Sequence, residues 1–506
     1  MRRAALVLAW AAVLGAPAPV RAETTTVLDD GWYALHLGGA KAGWVHQVTR
    51  RHGDGDTARY ESEMTMYLAM LRGGAKIEIE QSQHMVEDAS GRVMRVATRT
   101  KMGATESAKE IVVAGDSMTI TEGRHEREAP YPKDALGTFA AQRLAERLVA
   151  DGSRDLTVKI FSPDAPERAH PMKVRIGEKE RVNVNGIERE LLAVTTVLTL
   201  SGFEVGTATW VDPESYEVVV SETTVPMLGK MRQTRTTKAL AQMDVEPSEV
   251  FASSFVSPDR AIAGPRELRR ATFRLRSTSE KVPLGVVPDG VGQTATVEED
   301  GAVVVTIDTA VPEAARSHAL PLEVPEELRP ELRANPWLEI DDERIVALAK
   351  RAVEGKTTAY DAARAIEAFV DEYIDQKSFG VAFATAAETA RDRQGDCTEH
   401  GVLAAALARA AGLPSRVAIG CAYVGAEAAG ALPEAEKFPR GIFAFHLWTE
   451  VWVGDRWIAI DAAMGAMDAT HIALARTNLN EDGVTDSVIG LLSFMGNLSI
   501  EVIEPR

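Results

Sequence analysis

Cysteine is almost absent from this sequence, since the 506 residues contain only Cys397 and Cys421. A disulfide framework is therefore excluded, and one intramolecular bridge is the most that the chain can form. Whether the two thiols come close enough for a bridge depends on a Cα separation that sequence does not report. Two alternatives stay open at this point: a bridge that removes both thiols from chemistry, or two free thiols.

An excess of positive charge is also missing. The chain has 56 Lys and Arg against 74 Asp and Glu, which gives a formal net charge of −18. Nucleic-acid binding depends on cations that neutralise phosphates, so no nucleic-acid partner is expected. No cofactor and no metal site are predicted either. His400 lies three residues after Cys397, but a lone Cys/His pair without further ligands is a weak metal signal.

No apolar run reaches the ~20 residues that a helix needs to span a bilayer. The first run, from Ala4 to about Ala16, follows two arginines and precedes small residues at a suitable cleavage position. We predict a signal peptide at residues 1–22, cleaved after Ala22, and a periplasmic or secreted protein with no stable membrane span. A membrane anchor is the alternative, and the shortness of the run weakens it.

The mature N-terminus predicted in this way carries no cysteine, so lipid attachment is not expected. Loss of three arginines and no acidic residue takes the formal charge from −18 to −21. A second apolar stretch, residues 488–500, is short and interrupted by Ser493, Gly496 and Asn497. It is therefore predicted to be core rather than a second span.

Length and patterning predict a multidomain α+β protein, because 506 residues exceed what one core usually supports. Residues 23–245 alternate apolar and polar positions and predict an antiparallel β-rich domain of unknown role, for which a cell-envelope partner is a hypothesis. The row from Met64 to Met70, followed by a turn at residues 72–74, either fills core or lines a ligand cavity. Residues 246–335 predict a small β region and linker, and residues 336–506 a catalytic α+β domain.

Cys397 has the position of a nucleophile at the start of a helix. Asp396 and Glu399 have the spacing of a capping box, which makes Cys397 the first residue of a helix that runs to Ala411. The partial positive charge of a helix N-terminus favours a thiolate, so we expect a lowered thiol pKa. The alternative is that Cys397 is simply a small buried residue.

A predicted hairpin carries the partner residues. Residues 445–453 alternate, which places His446, Trp448 and Glu450 on one face of a strand. A two-residue loop at residues 454–455 puts Asp461 on the same face, diagonal to His446 at roughly 7–8 Å between backbones. Glu450 is a rival carboxylate, but it lies about 13 Å from His446 along the strand. Asp461 is therefore the predicted partner of the imidazole.

These residues resemble the transglutaminase-like superfamily, which is related to papain, and the resemblance covers roughly residues 336–506. One block is Gly395-Asp396-Cys397 with the helix and turn that follow. The second is His446-Leu447-Trp448-Thr449-Glu450-Val451 with Trp457 and Asp461. One departure is Ala462-Ala463, where many bacterial relatives have proline and a hydroxyl residue.

The resemblance implies an acyl-transfer enzyme that acts on protein or peptide amides through a thioester. Cys397 would be the nucleophile, His446 the general base and acid, and Asp461 the group that orients the imidazole. Gln394 or Trp448 would help to bind the oxyanion. Hydrolysis is expected over cross-linking, since no motif marks an amine site. The alternative is a catalytically silent scaffold that binds a cell-envelope partner.

Overall fold

The computed structural model describes residues 24–103, 105–123, 125–200, 203–225, 228–249, 255–278, 287–380, 384–430, 435–479 and 497–505. The predicted signal peptide at residues 1–22 and most of the apolar stretch at residues 488–500 lie outside these ranges. Within them a large antiparallel sheet comes first, smaller sheets follow, and most helices lie toward the C-terminal end. The predicted fold class is therefore confirmed.

The first sheet has fourteen antiparallel strands within the described ranges. They are β1 (Thr25–Leu37), β2 (Ala40–His52), β3 (Arg59–Arg72), β4 (Ala75–Asp88), β5 (Val93–Met102), β6 (Thr105–Ala114), β7 (Ser117–Glu122), β8 (His125–Pro130), β9 (Asp155–Phe161), β10 (Ala169–Val184), β11 (Ile187–Leu200), β12 (Phe203–Val211), β13 (Val218–Val225) and β14 (Gly229–Thr236). Except for β8 and β9, which form the two edges, strands that are neighbours in sequence are neighbours in the sheet, and the two halves join where β1 pairs with β14. Helix α1 (Thr138–Ala150) connects the halves.

The edge strands β8 and β9 of this sheet approach each other through side chains. Phe161 at the end of β9 stacks on Tyr131, just after β8, with ring centroids 5.6 Å apart. Both rings belong to one apolar core with side chains of β4 to β8. The segment before α1 adds backbone hydrogen bonds to β9 through Leu136. The sheet is therefore curled, with apolar side chains on its inner face.

The methionine row of β3 is mainly core. Leu68 and Met70 are buried with Leu35, and Met66 packs against the same cluster. Only the outer end of the row differs, since Met64 lines a surface groove of about 540 Å³ over β3 to β7. The core interpretation thus holds for the inner end of the row.

The remaining strands of the described chain form three sheets, with the orders β16-β17-β15-β24, β18-β19 and β22-β21-β20-β23. The strands are β15 (Arg270–Ser277), β16 (Gln293–Val297), β17 (Val303–Asp308), β18 (Gln376–Lys377), β19 (Gln394–Gly395), β20 (Ser415–Val424), β21 (Ile442–Trp452), β22 (Trp457–Ile460), β23 (Ile472–Thr477) and β24 (Leu498–Pro505). Because β24 pairs with β15, the end of the chain returns to the small β region. Side chains of both regions share one core, including Phe273, Leu403 and Phe443. The domain boundaries near residues 245 and 335 remain predictions.

Four helices of the C-terminal part begin after an aspartate or threonine in the N-cap position: Asp342, Thr358, Thr385 and the predicted cap Asp396. Each capping side chain accepts a hydrogen bond from a backbone N–H of the first turn. The helices in the described ranges, after α1, are α2 (Lys238–Ala241), α3 (Glu343–Ala352), α4 (Ala359–Tyr373), α5 (Ala386–Asp392), α6 (Cys397–Ala410) and α7 (Ala426–Ala429). None of the helices in these ranges is long and apolar enough to cross a membrane.

Helix α6 is the central element of the C-terminal part. It contacts α3, α4 and α5 on one side and β20 and β21 on the other. Every residue from Thr398 to Arg409 is buried, as expected for a helix that is apolar nearly all round. The thiol at its first position is therefore mounted on a rigid element.

Candidate active site

The turn that precedes Cys397 is held by two carboxylates. Asp396 Oδ1 accepts hydrogen bonds from the backbone N–H and the hydroxyl of Thr398, at 2.9 and 2.6 Å. Glu399 Oε2 accepts the Asp396 N–H at 2.9 Å, so the predicted capping box is present. The other Glu399 oxygen accepts the Ala384 N–H at 3.0 Å. These bonds fix the helix start and hence the position of the sulfur.

The β21–β22 hairpin has the predicted register. The paired residues are Thr449 and Ile460, Glu450 and Ala459, Val451 and Ile458, and Trp452 and Trp457. In the two-residue loop, Gly454 has a φ of 120°, a value that favours glycine. β22 ends one residue before Asp461, and the side chain of Asp461 reaches His446 as predicted.

His446 and Asp461 form a buried pair. His446 Nε2 lies 2.8 Å from Asp461 Oδ2, and the side chains are 4% and 1% exposed. Burial opposes ionisation of the carboxyl, but His446 and His471 hold the pKa of Asp461 well below its usual range. An ionised acceptor keeps the proton on Nε2 of His446 and leaves a lone pair on Nδ1. Nδ1 is thus the ring nitrogen that can accept a proton from a thiol.

The thiol lies at the open edge of β21. On the edge of β21 that faces β22, the two strands pair at residues 449–452. Further back on β21, Phe443 exchanges two backbone hydrogen bonds with Val256. Between these two points the backbone of Leu447 lies close enough to the Cys397 thiol to influence its pKa. The structure therefore brings Cys397 beside the residue that follows His446, with Asp461 behind the imidazole. Their catalytic roles remain predictions.

The expectation of a lowered pKa for Cys397 is wrong for this structure. Burial has the largest influence and raises the pKa of the thiol well above its usual range, and the Asp396 carboxylate raises it further. The Arg72 guanidinium and the nearby Leu447 backbone lower the pKa by less. The sequence argument used the charge of the helix end but left out the anionic residue that caps it. The Cys397 thiol is partly exposed and neutral in this structure.

A second histidine that the sequence analysis missed binds the same carboxylate. His471 Nε2 lies 3.0 Å from Asp461 Oδ2, and His471 Nδ1 lies 3.4 Å from Asp468 Oδ1. Asp468 in turn is paired with Arg266. Burial lowers the pKa of His471, but its hydrogen bonds and charge interactions with the two aspartates outweigh burial and raise the pKa to about 9. His471 is therefore a buried cation at neutral pH.

The pKa of His471 predicts a pH-dependent contribution to stability. A raised pKa means that the folded state binds the proton more tightly, so the contribution is complete below the ordinary pKa of 6.5 and is lost as pH rises through about 9. We expect the difference in unfolding free energy between the wild type and His471→Gln to be largest at pH 6 and to shrink by pH 9.5. Urea unfolding at several pH values measures it, and a difference that stays constant with pH would contradict the assignment.

Glu367 is another buried carboxylate that the sequence analysis missed. Its Oε1 accepts the Asp461 backbone N–H at 2.7 Å. Burial raises the pKa of Glu367 to about 7 against the opposing effect of Arg364. A signal for it exists in the sequence, since Glu367 lies on the apolar stripe of α4 with Ala363 and Val370. A charge on such a stripe usually indicates a buried paired group.

The two residues predicted to bind the oxyanion differ in their surroundings. Trp448 is buried, stacks on His446 with ring centroids 6.0 Å apart, and meets His471 edge-on at 5.4 Å. Gln394 lies three residues before the thiol and is half-buried. It belongs to the short strand β19, which pairs with β18. Trp448 thus forms a wall behind the imidazoles, and the oxyanion role of both residues remains a prediction.

The rival carboxylate and the rival disulfide are both excluded by the geometry. Glu450 accepts hydrogen bonds from Arg416 and Arg476, each at 2.7 Å. Cys397 and Cys421 are free, and Cys421 is buried in β20. Two groups of described residues gather metal-ligating atoms within 4.8 Å: His446, Asp461 and His471, and Glu61, Glu63 and His84. Hydrogen bonds and ion pairs account for the clustering in both groups.

Comparison with known proteins places this site in a family. The family model described as transglutaminase-like superfamily matches residues 346–462, which include Cys397, His446 and Asp461. A comparison with curated proteins gives no match.

Three solved structures are similar to parts of the chain. One is a candidate cysteine protease from Cytophaga hutchinsonii, at 15% identity over 47% of this chain and 86% of that one, with a TM-score of 0.29. Another is the periplasmic domain of TgpA from Pseudomonas aeruginosa bound to ethylmercury, at 14% identity over 40% and 92%, with a TM-score of 0.23. The third is a β-barrel-like protein of the domain of unknown function DUF1849 from Brucella abortus, at 11% identity over 41% and 95%, with a TM-score of 0.31. From the family match, residues 346–462 of this chain are a transglutaminase-like domain.

Proposed function

We propose that the protein is an exported, cysteine-dependent enzyme that cleaves amide bonds of proteins or peptides through a thioester. The observation that carries the proposal is the buried pair of His446 Nε2 and Asp461 Oδ2 at 2.8 Å, on the strand whose Leu447 backbone lies near the Cys397 thiol. These groups meet within a transglutaminase-like domain, whose family resemblance implies acyl transfer.

The proposed reaction begins when His446 Nδ1 takes the proton of the Cys397 thiol. The sulfur attacks the amide carbonyl, and the oxyanion is stabilised by the Cys397 backbone N–H with Gln394 or Trp448. The C–N bond then breaks, and the amine leaves with the proton from the imidazolium. A water molecule attacks the thioester, gives a proton to His446, and releases the acid and the thiol. Asp461 holds the ring in the required tautomer throughout.

Hydrolysis is favoured over cross-linking because an amine must compete with water at high concentration, and the sequence has no recognisable amine site. Export rests on the residue pattern at the N-terminus: two arginines, an apolar run and small residues before position 23. The expected location is the periplasm or the exterior of the cell, where proteins and peptides of the cell envelope would be the substrates.

A silent scaffold is a second candidate, and the raised pKa of the Cys397 thiol favours it. In that case the transglutaminase-like domain and the large sheet would together bind a cell-envelope partner. An unchanged cellular phenotype in Cys397→Ala, together with its loss on deletion of residues 23–242, would support the scaffold.

Mass spectrometry of a peptide library incubated with the protein tests the proposed enzyme. The wild type is expected to cleave or deamidate peptides, and Cys397→Ala to leave them unchanged, because the alanine side chain cannot form a thioester. Cys421→Ala removes the other, buried thiol and is the matched control that should retain activity. Addition of a primary amine distinguishes the two outcomes of the thioester, since an amide adduct would indicate cross-linking. Equal product from wild type and Cys397→Ala would refute the proposal.

A further inference from the structure

The turn between β3 and β4, residues 72–74, projects from the N-terminal sheet toward the thiol. Gly73 and Gly74 both have positive φ, at 59° and 79°, which fits the turn that the sequence predicts there. Their backbone N–H groups donate to the two carboxylate oxygens of Glu249, at 3.2 and 3.0 Å. The Leu71 N–H donates to the Ser248 carbonyl at 2.8 Å. The turn is thus fixed from behind by the segment that leaves the sheet.

The tip of this turn contacts the residues around the nucleophile. Arg72 Nη1 lies 2.7 Å from Asp396 Oδ2, and the two side chains are only 17% and 4% exposed. The Arg72 guanidinium also lies 5.8 Å from the ring centroid of Phe379. A Cβ at Gly73 would come within 2.7 Å of the same ring, so the backbone is packed directly on it. Phe379 follows β18, the strand that pairs with β19 just before Cys397.

We propose that Arg72, which reaches the active site from the N-terminal sheet, is a positioning residue for the nucleophile. Its ion pair with Asp396 holds the first turn of α6 in place and neutralises the carboxylate beside the sulfur. This inference rests on the proposed function for its catalytic meaning, and it assigns a role to the large sheet. Asp396 uses Oδ1 to cap α6 and Oδ2 to meet Arg72, so one carboxylate connects the two parts of the chain.

The charges around the sulfur give the expected direction of the effect. The charged side chains that act on Cys397 come from α6 and from the turn, and they are Asp396, Glu399 and Arg72. His446 lies on β21, one residue before Leu447, whose backbone is near the thiol. The two carboxylates disfavour a thiolate, whereas Arg72 favours it and lowers the pKa of the Cys397 thiol. Removal of Arg72 would leave a nearly buried Asp396 without its cation and would make the thiolate harder to form.

Alkylation of Cys397 by iodoacetamide as a function of pH tests this role in the full-length protein, with peptide mapping to separate Cys397 from Cys421. For Arg72→Ala we expect the alkylation midpoint to rise by about one pH unit, which makes labelling about tenfold slower at neutral pH. Arg72→Lys keeps the positive charge but lacks the planar guanidinium, so it should recover part of the alkylation rate that Arg72→Ala loses. Arg99→Ala removes an exposed arginine of the same sheet and should label like the wild type.

A double-mutant cycle identifies the partner through which Arg72 acts. Asp396→Asn keeps a side chain that can cap the helix and removes the negative charge, so the midpoint should fall below that of the wild type. In this background Arg72→Ala should raise the midpoint by less than it does in the wild-type background. If Arg72→Ala instead labels faster at every pH, the turn only covers the thiol, and an unchanged midpoint would also overturn the proposal. Peptide turnover is measured separately, so normal thiol shifts without any turnover would refute the enzyme and leave the role of Arg72 in thiol ionisation standing.

Discussion

Replacement of His446 by alanine is expected to lower the rate of amide cleavage by about 10³-fold or more. The imidazole is held at 2.8 Å by Asp461 on one ring nitrogen, which leaves the other as the proposed base for the Cys397 thiol, whose raised pKa keeps it protonated. Because the pKa of Cys397 is raised, the thiolate fraction without a base is small. Loss of the base should therefore reduce kcat more strongly here than in an enzyme whose thiol is already ionised.

The measurement is kcat for a cleaved peptide found in the library experiment, with wild type and variant compared at the pH optimum. His400→Ala is the matched control, because His400 is also a buried histidine and lies on α6, the helix that begins with Cys397. Its Nδ1 forms a hydrogen bond with the Asp396 carbonyl at 2.6 Å. We expect less than about a tenfold decrease in the control, since His400 has no part in the proton transfers. Added imidazole should restore some activity to His446→Ala and none to Cys397→Ala. A decrease in His400→Ala as large as in His446→Ala would contradict the assignment of the base.

The parts of the site that sequence could predict are governed by local rules. The capping box at Asp396 and Glu399 needs only the three-residue spacing, and it placed Cys397 at the first position of α6. The hairpin register needs only the loop length, and it put Asp461 on the face of His446. In both cases the deciding contacts join residues that are close in sequence, so one segment contains the whole argument.

The parts that were missed depend on contacts between distant segments. His471 meets Asp461 because β23 pairs with β20, and the strand order of a sheet is not contained in the pattern of one strand. The interaction of Arg72 with Asp396 joins residues more than 300 positions apart. The raised pKa of Cys397 has the same origin, because the burial of the thiol is produced by the whole surrounding structure.

Replacement of Glu450 by alanine is expected to destabilise the C-terminal part by about 3–5 kcal/mol, the range found when one partner of a buried ion pair is removed. Glu450 is 1% exposed, and its two oxygens each accept a hydrogen bond of 2.7 Å, from Arg416 on β20 and from Arg476 on β23. Arg476 also donates to the carbonyls of Asp289 and Gly290, in the segment before β16. Without Glu450, two guanidinium groups remain partly buried with no carboxylate between them.

Urea unfolding measures this loss, and two variants separate its causes. Glu450→Gln keeps the shape and one acceptor but removes the charge, so it should destabilise less than Glu450→Ala. Glu326→Ala breaks an exposed pair with Arg329, whose side chains are 78% and 61% exposed, and should change the unfolding free energy by less than about 1 kcal/mol. A Glu450→Ala effect as small as that of the exposed pair would mean that water replaces the carboxylate. The large effect should come without a change in the alkylation midpoint of Cys397, because the charged groups that shift the pKa of this thiol are Asp396, Arg72 and Glu399.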